Sequence, residues 1–385
     1  MRVILDISKI KFESNKYIIN WNLKEDFKQI FVPEKLEIEY DFEVKKNYFF
    51  PVNIALSLFL AILAREYSTV DIVLPYKLPK WLEDYWLSYI TEISNGTEKF
   101  KFKINFISNV SKYISTEDTF VEKNCNIGLF FGGGVESLFS LSNLYHKHPI
   151  LISIVGKKWM NNDINNAKIK FQLEEELIKN YKLNMQRIKT NARSIINRND
   201  EYVNKYVSGS LFYFLALPVA DKYKISILFQ THELEEALNF SSYDYSLNPR
   251  MMPKIQLKGK YPLFLPLYTS HSKIQMFKEL SKTPFIKYLY SCFRNTDKRW
   301  CGECSKCFRI SEYCERIGLD RKVIGMQEGI VGVRETSPVT KNYWIIMDKI
   351  YGRKYMREFK LATLYYIRKI KRKLKKLFKW SREEY

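Results

Sequence analysis

The chain has 385 residues, 46% hydrophobic and 16% aromatic, which is enough to bury real cores across two or three domains and excludes a disordered chain. Its 63 Lys+Arg exceed its 42 Asp+Glu, and the resulting net charge of +21 points toward nucleic acid or an anionic surface. Abundant Lys, Ile, Asn, Tyr and Phe also fit the codon bias of an AT-rich genome, so part of that charge carries no function.

The first residues, Met1-Arg2-Val3-Ile4-Leu5-Asp6, lack the charged region, apolar core and cleavage site of a signal peptide, and a cytoplasmic location is expected. Residues 35–44 alternate apolar and polar, the mark of half-exposed antiparallel strands, while 52–66 and 79–93 carry helical patterns. The most apolar run, 52–64, is too short and too soon followed by Arg65 and Glu66 to span a bilayer, so it reads as a buried helix. Residues 1–123 therefore read as an α+β domain of their own, with Trp81, Tyr85 and Trp86 as core or domain contacts rather than a ligand cage.

At 126–141 an apolar run breaks into three glycines and resumes as a helical pattern, which reads as strand, tight loop and helix. Gly132, Gly133 and Gly134 allow positive φ and expose bare backbone, and Glu136 and Ser137 open the helix. Successive amides in such a loop, with the positive end of a helix dipole, suit phosphate. The glycines are contiguous, unlike a Rossmann fingerprint, and no Gly-Lys-Ser/Thr closes the loop as in a Walker A motif. A glycine turn serving only close strand-to-helix packing is the plainer reading.

Strand and helix then alternate: a strand at 149–155, a helix at 165–181, a strand at 185–190, a helix at 211–223 and a strand at 225–229. That order implies a parallel sheet covered on both faces, with ligand at the carboxyl ends of its strands. The glycine loop sits at one such end and 230–236 at another, which makes His232, Glu233 and Glu236 pocket candidates for substrate, magnesium or proton transfer. A helix start, with Thr231 as cap and Glu233 and Glu235 favoured by the dipole, is the alternative. His146, His148 and His271 read as surface or structural.

Cys292, Cys301, Cys304 and Cys307 lie within sixteen residues, three of them as C-x-x-C-x-x-C, and supply a tetrahedral set of thiolates. A closed Zn²⁺ site is the first reading, an iron–sulfur cluster and a redox dithiol the others. Lys298, Arg299 and Lys306 favour the thiolate forms. Cys125 and Cys314 read as buried thiols.

Gly132-Gly133-Gly134-Val135-Glu136-Ser137 resembles the Ser-Gly-Gly-x-Asp-Ser loop of the PP-loop ATP pyrophosphatases, with Gly132 for the first serine and Glu136 for the aspartate. Both motifs in this order are similar to 7-cyano-7-deazaguanine synthase, whose C-x8-C-x2-C-x2-C zinc site the four cysteines reproduce. Leu263 to Leu267 followed by Lys273-Ile274 loosely matches that family's Pro-Leu and Lys-x-x-Ile stretch. The family's Arg-Asn pair is replaced near Gly209-Ser210, and its Tyr-Pro-Asp-Cys-Arg segment is only echoed at 245–250, which suggests a relative with another substrate or acceptor. Other carboxylate-activating PP-loop ligases and epimerases, and the family's relatives in bacterial antiviral defence, are the comparisons this suggests.

The resemblance implies an α/β fold, a parallel doubly wound sheet of PP-loop (HUP-like) type. Its expected layout is the N-terminal α+β domain at 1–123, an ATP-binding domain with the cysteine site at 124–330, and a basic helical tail at 331–385. It implies a ligase that adenylates a substrate carboxylate, deazapurine-like or other, releases pyrophosphate and passes the acyl group to an amine or ammonia. ATP and pyrophosphate would be held by Gly132, Gly133, Gly134, Val135, Glu136 and Ser137, with Mg²⁺ at Glu136 and catalysis by Glu136, Ser137 and His232. The alternative is a nucleotide- or nucleic-acid-binding protein that keeps the fold and has lost the chemistry. Residues 351–385 carry 13 Lys+Arg against 3 Glu, so +10 in an amphipathic basic helix suited to nucleic acid, an anionic membrane surface, a protein partner or its own core. A homodimer is also expected.

Overall fold

The strands of the computed structural model carry two burial rhythms, and each rhythm tells how many faces of the sheet are covered. The structure describes residues 2–24, 30–32, 35–97, 102–115, 126–156, 167–197, 207–233, 257, 261–292 and 298–327; Cys125, Glu235, Glu236, the 245–250 segment and the tail at 331–385 lie outside them. In β1 (Arg2–Glu13) Val3, Leu5 and Ile7 are buried while their neighbours are partly exposed, the alternation of a strand covered on one side. β2 (Lys16–Lys24), β3 (Leu36–Glu39), β4 (Thr69–Leu74) and β5 (Lys103–Ser108) complete this half. In β7 (Ile150–Val155) every residue after the first is buried, as covering on both faces requires.

β6 (Asn126–Phe130), β8 (Asn184–Thr190), β9 (Ile225–Thr231) and β10 (Leu263–Leu267) join the others in one ten-stranded sheet, in the order β10-β9-β6-β7-β8-β3-β2-β1-β4-β5. The five strands from β10 to β8 are mutually parallel, so the expected α/β class with a largely parallel sheet is observed. β3 and β2 pair antiparallel, but β4 and β5 run parallel to β1, because helices rather than hairpins carry the chain between them. Alternation reports a covered face and says nothing of strand direction.

The strands of 1–123, expected as a domain apart, continue this same sheet: Ile38 and Glu39 of β3 pair with Thr190 and Lys189 of β8. Lys189 Nζ also reaches Glu39 Oε1 at 2.7 Å. A half-exposed strand reads alike whether its free edge meets water or another strand, so the pattern could not reveal the join. The chain forms two compact units, Met1–Arg299 and Trp300–Tyr385.

α1 (Phe49–Glu66) is buried at every position from Phe49 to Ala64. It is the one helix among the described residues long and apolar enough to cross a bilayer, yet 89% of that window is buried inside the protein. It packs against α6 (Ser208–Tyr223) and α2 (Lys80–Thr97), and Trp86 of α2 stacks on Phe214 of α6 at 5.0 Å. Trp86 is fully buried, as a core residue should be, whereas Trp81 is 42% exposed. The remaining helices are α3 (Val135–Leu144), α4 (Lys168–Tyr181), the single turn α5 (Ala192–Ile195), α7 (Lys273–Leu280) and, in the second unit, α8 (Ser305–Ile317).

Two polar side chains are buried in α1, Asn53 and Ser57, and the first ties the helix to a neighbour. Asn53 donates to the Phe49 carbonyl at 2.7 Å and accepts the Trp86 indole N–H at 2.8 Å, locking α2 to α1. Asn53→Ala should leave that indole N–H buried without a partner and cost about 1–3 kcal/mol, read as a lower urea midpoint with unchanged slope. An unaltered midpoint would show that the bond contributes nothing.

Candidate functional site: three strand ends and a four-cysteine cluster

The site begins with a glycine on which the side chains of both neighbouring strands close. A Cβ on Gly128 would lie 2.8 Å from Leu228 Cδ2 and 3.2 Å from Ile152 Cδ1, so the strands on either side close over bare backbone and hold β6 at the centre of the parallel array. Beyond β6 the chain turns through the three glycines. Gly133 has φ +74°, and its carbonyl accepts the Tyr290 N–H at 2.9 Å, which fixes the loop from outside. Gly134 is the N-cap of α3 and offers no side-chain cap, so the first-turn amides have no partner within the helix. Ser137 Oγ donates to the Gly134 carbonyl at 3.3 Å. The loop therefore runs into a helix start, a place where anions are favoured.

β6 lies between β7 and β9, the place in a doubly wound sheet where neighbouring connections part and a crevice opens at the carboxyl ends. Three adjacent strands deliver charged groups there. Glu136 comes from the helix after β6, Glu233 follows β9, and Lys273 follows β10 as the first residue of α7. Lys273 Nζ bonds Glu136 Oε1 and, at 2.8 Å, Glu233 Oε2, and all three side chains are largely buried. A capping box holds Lys273 in place: Ser272 Oγ accepts the Gln275 N–H at 3.3 Å, and Gln275 Oε1 accepts the Ser272 N–H at 2.8 Å. Two carboxylates around one cation form a site that accepts positive charge, beside a loop that accepts negative charge.

Glu233 was expected here from the strand pattern and Glu136 from the glycine loop, whereas Lys273 was marked only through the loose family match. His232 also lies at the end of β9, with its N–H on the Leu267 carbonyl at 3.0 Å, but it is 1% exposed. Thr231 is the last residue of β9, and its hydroxyl pairs with Ser140 Oγ at 2.5 Å; the helix it was expected to cap would run into residues outside the described ones. His146 and His148 are exposed, and His271 contacts Ser270 and Glu279 at the surface.

The Sγ atoms of Cys292, Cys301, Cys304 and Cys307 all lie within 4.8 Å of one another, a group that could hold a metal ion such as zinc. A tetrahedron of thiolates at the usual Zn–S length of about 2.3 Å sets its sulfurs about 3.8 Å apart, and Cys301 and Cys307 stand 3.8 Å apart. Cys304 caps α8, its sulfur accepting the Cys307 N–H at 3.4 Å, a contact that stabilises a thiolate. Arg299 donates to the Leu289 and Lys287 carbonyls, and burial lowers its guanidinium to about 10. Cys314 is fully buried, and that burial pushes its thiol up to about 11, which leaves it inert as expected.

No protein-family model, curated protein or solved structure matches the chain.

The loop makes opposite demands on neighbouring glycines. A Cβ at Gly132 meets nothing within 4 Å, whereas Gly133 has φ +74°. Gly132→Ser should change stability by no more than about 0.5 kcal/mol, while Gly133→Ala should cost about 1–2 kcal/mol through its left-handed backbone. Equal unfolding midpoints for the two variants would contradict this geometry.

Proposed function

We propose that the chain is an ATP-dependent ligase of the PP-loop type, which adenylates a small carboxylate and passes the acyl group to an amine or ammonia. The observation that carries this reading is the pairing, at one sheet crevice, of a glycine loop opening a helix with two carboxylates from adjacent strand ends. The five parallel strands in the order β10-β9-β6-β7-β8 agree with a PP-loop sheet. In the reaction a carboxylate oxygen attacks the α-phosphorus, the α–β bridging bond breaks and pyrophosphate leaves; the amine then attacks the acyl adenylate and AMP departs. The amides of Gly133, Gly134 and Val135 with Ser137 receive the negative charge that grows on the leaving pyrophosphate. Glu136 and Glu233 already surround an ammonium, so they fit a divalent cation and would hold Mg²⁺, which neutralises phosphate charge when bound. His232 is too deeply placed to be the first choice for proton transfer.

Binding without turnover remains the second reading, favoured by Gly132, which lacks the hydroxyl of the family loop. Product analysis separates the two. ATP incubated with the protein, Mg²⁺, ammonia and candidate carboxylates should yield AMP and pyrophosphate, and Glu136→Gln should lower kcat about 10²- to 10³-fold with less effect on ATP affinity. ADP as product would defeat the adenylation mechanism, and binding without products would leave the second reading standing.

We read the four cysteines as a structural zinc site. Cys292 follows Tyr290 by two residues, so a metal that fixes Cys292 steadies the segment whose Tyr290 amide holds Gly133. Elemental analysis should find about one zinc per chain, and Cys304→Ser should lose soluble, folded protein, since a structural site contributes directly to folding. Iron with visible charge-transfer absorption, or no metal in folded protein, would overturn the assignment.

A further inference from the structure

Lys170 stands where stability alone would not put a lysine. Its side chain is 1% exposed, it lies in the first turn of α4, and that turn contains no acidic residue. A cation there opposes the helix dipole, and burial adds a desolvation cost. It also stands against the glycine loop: a Cβ built on Gly133 would come within 3.7 Å of Lys170 Cε. The ammonium is one bond further on, so a positive side chain has been brought beside the glycine backbone that leads into the start of α3. The glycine loop, the start of α3 that follows it and the end of a lysine side chain meet here, and each favours negative charge.

The ammonium is tolerated because Glu174, one turn along α4 and 3% exposed, takes it in an ion pair. Glu174 is held in turn by Arg187 of β8 at 3.2 Å, and Arg187 also reaches Glu175 at 2.7 Å. Glu174 therefore keeps a cationic partner even when Lys170 turns away. A lysine serving only to neutralise Glu174 would duplicate Arg187. Placed beside Gly133, it has a second use.

We infer that Lys170 is the side-chain cation of the glycine-loop anion site and contacts the pyrophosphate portion of a nucleoside triphosphate, exchanging Glu174 for phosphate oxygens when the ligand enters. This rests on the reading of the loop as a polyphosphate site and adds to it a residue from another strand–helix unit. Lysine suits that exchange, since its ammonium is a point charge on a flexible stem that can rotate between partners.

The test is equilibrium binding of inorganic pyrophosphate, ATP and AMP to the intact chain by calorimetry, for the wild type, Lys170→Met and Glu174→Gln. Lys170→Met should weaken pyrophosphate and ATP binding about 10- to 100-fold while leaving AMP affinity within about twofold, as expected for loss of one charge-assisted contact. Glu174→Gln removes the competing carboxylate and should tighten pyrophosphate binding about 3- to 10-fold, although the fold itself is weakened. A purely structural lysine predicts lower melting temperatures in both variants and the same pyrophosphate affinity in each. Should Lys170→Met fail to fold, unchanged or weaker pyrophosphate binding by Glu174→Gln overturns the inference. A wild type that binds neither pyrophosphate nor ATP defeats the loop reading itself, whereas wild-type binding that Lys170→Met retains in full defeats only the role of Lys170.

Discussion

β6 has a parallel neighbour on each side, and that one constraint decides where chemistry can occur. Parallel strands need crossovers of a fixed hand, so the connection through α3 toward β7 and the connection through α6 into β9 cover opposite faces of the sheet. The carboxyl end of β6 lies where they part, on the same side of the sheet as the ends of β9 and β10. Everything the candidate site uses enters there: bare amides after β6, Glu233 after β9 and Lys273 after β10. Gly128 is part of the same constraint, because only bare backbone lets the side chains of β7 and β9 close on β6 from both sides.

The crevice holds its charges in compensated sets. Lys273 lies between Glu136 and Glu233, and Lys170 lies against Glu174, which Arg187 also holds. Removing one partner of a buried ion pair costs far more than replacing both, about 3–5 kcal/mol, so these sets persist until another charge enters. On the proposed reading, anion binding is an exchange of partners whose affinity is a difference between two well-satisfied states, and selectivity follows from the same balance. A ligand with several phosphate oxygens can satisfy the loop amides and a lysine together, whereas a monoanion offers too little to replace a glutamate.

How much of this was legible in the sequence depended on the distance over which each feature is built. The glycine loop and the four cysteines are local, since each is a short run whose chemistry lies in its own spacing, and the structure puts the four sulfurs within 4.8 Å of one another. α1 was legible as a buried helix because an apolar run ending at Arg65 and Glu66 fits a core better than a bilayer. The lysines were not legible in this way. Lys170 and Lys273 reach the loop from separate strand–helix units, and nothing in a lone lysine on a helical pattern shows which backbone it will touch. The Tyr290 amide is more hidden still, since a main-chain bond to Gly133 leaves no trace in residue type. The continuous sheet escaped for a similar reason: two register pairs, Ile38 with Thr190 and Glu39 with Lys189, join its halves.

Those halves repeat one strand order. Counted within each half, both run 5-4-1-2-3, and they meet edge to edge where β3 adjoins β8. α1 and α6 fill the same place, each carrying the chain from its third strand to its fourth, and they pack on one another. The first half nevertheless has no counterpart of the glycine loop, and the cause lies in a single connection. β1 passes into β2 through the two-residue turn Ser14–Asn15, with Glu13 paired to Lys16, so no helix start follows its first strand. The turn's own carbonyls are taken as well, Ser14 by the Val44 N–H at 2.8 Å and Asn15 by the Tyr40 N–H at 2.9 Å. The position that holds bare amides in the second half is thus closed by hydrogen-bonded chain in the first. Amides without a partner in their own element are presented by a helix start, and a two-residue hairpin supplies none. The first half supports the second through α1 against α6, while the second carries the candidate site.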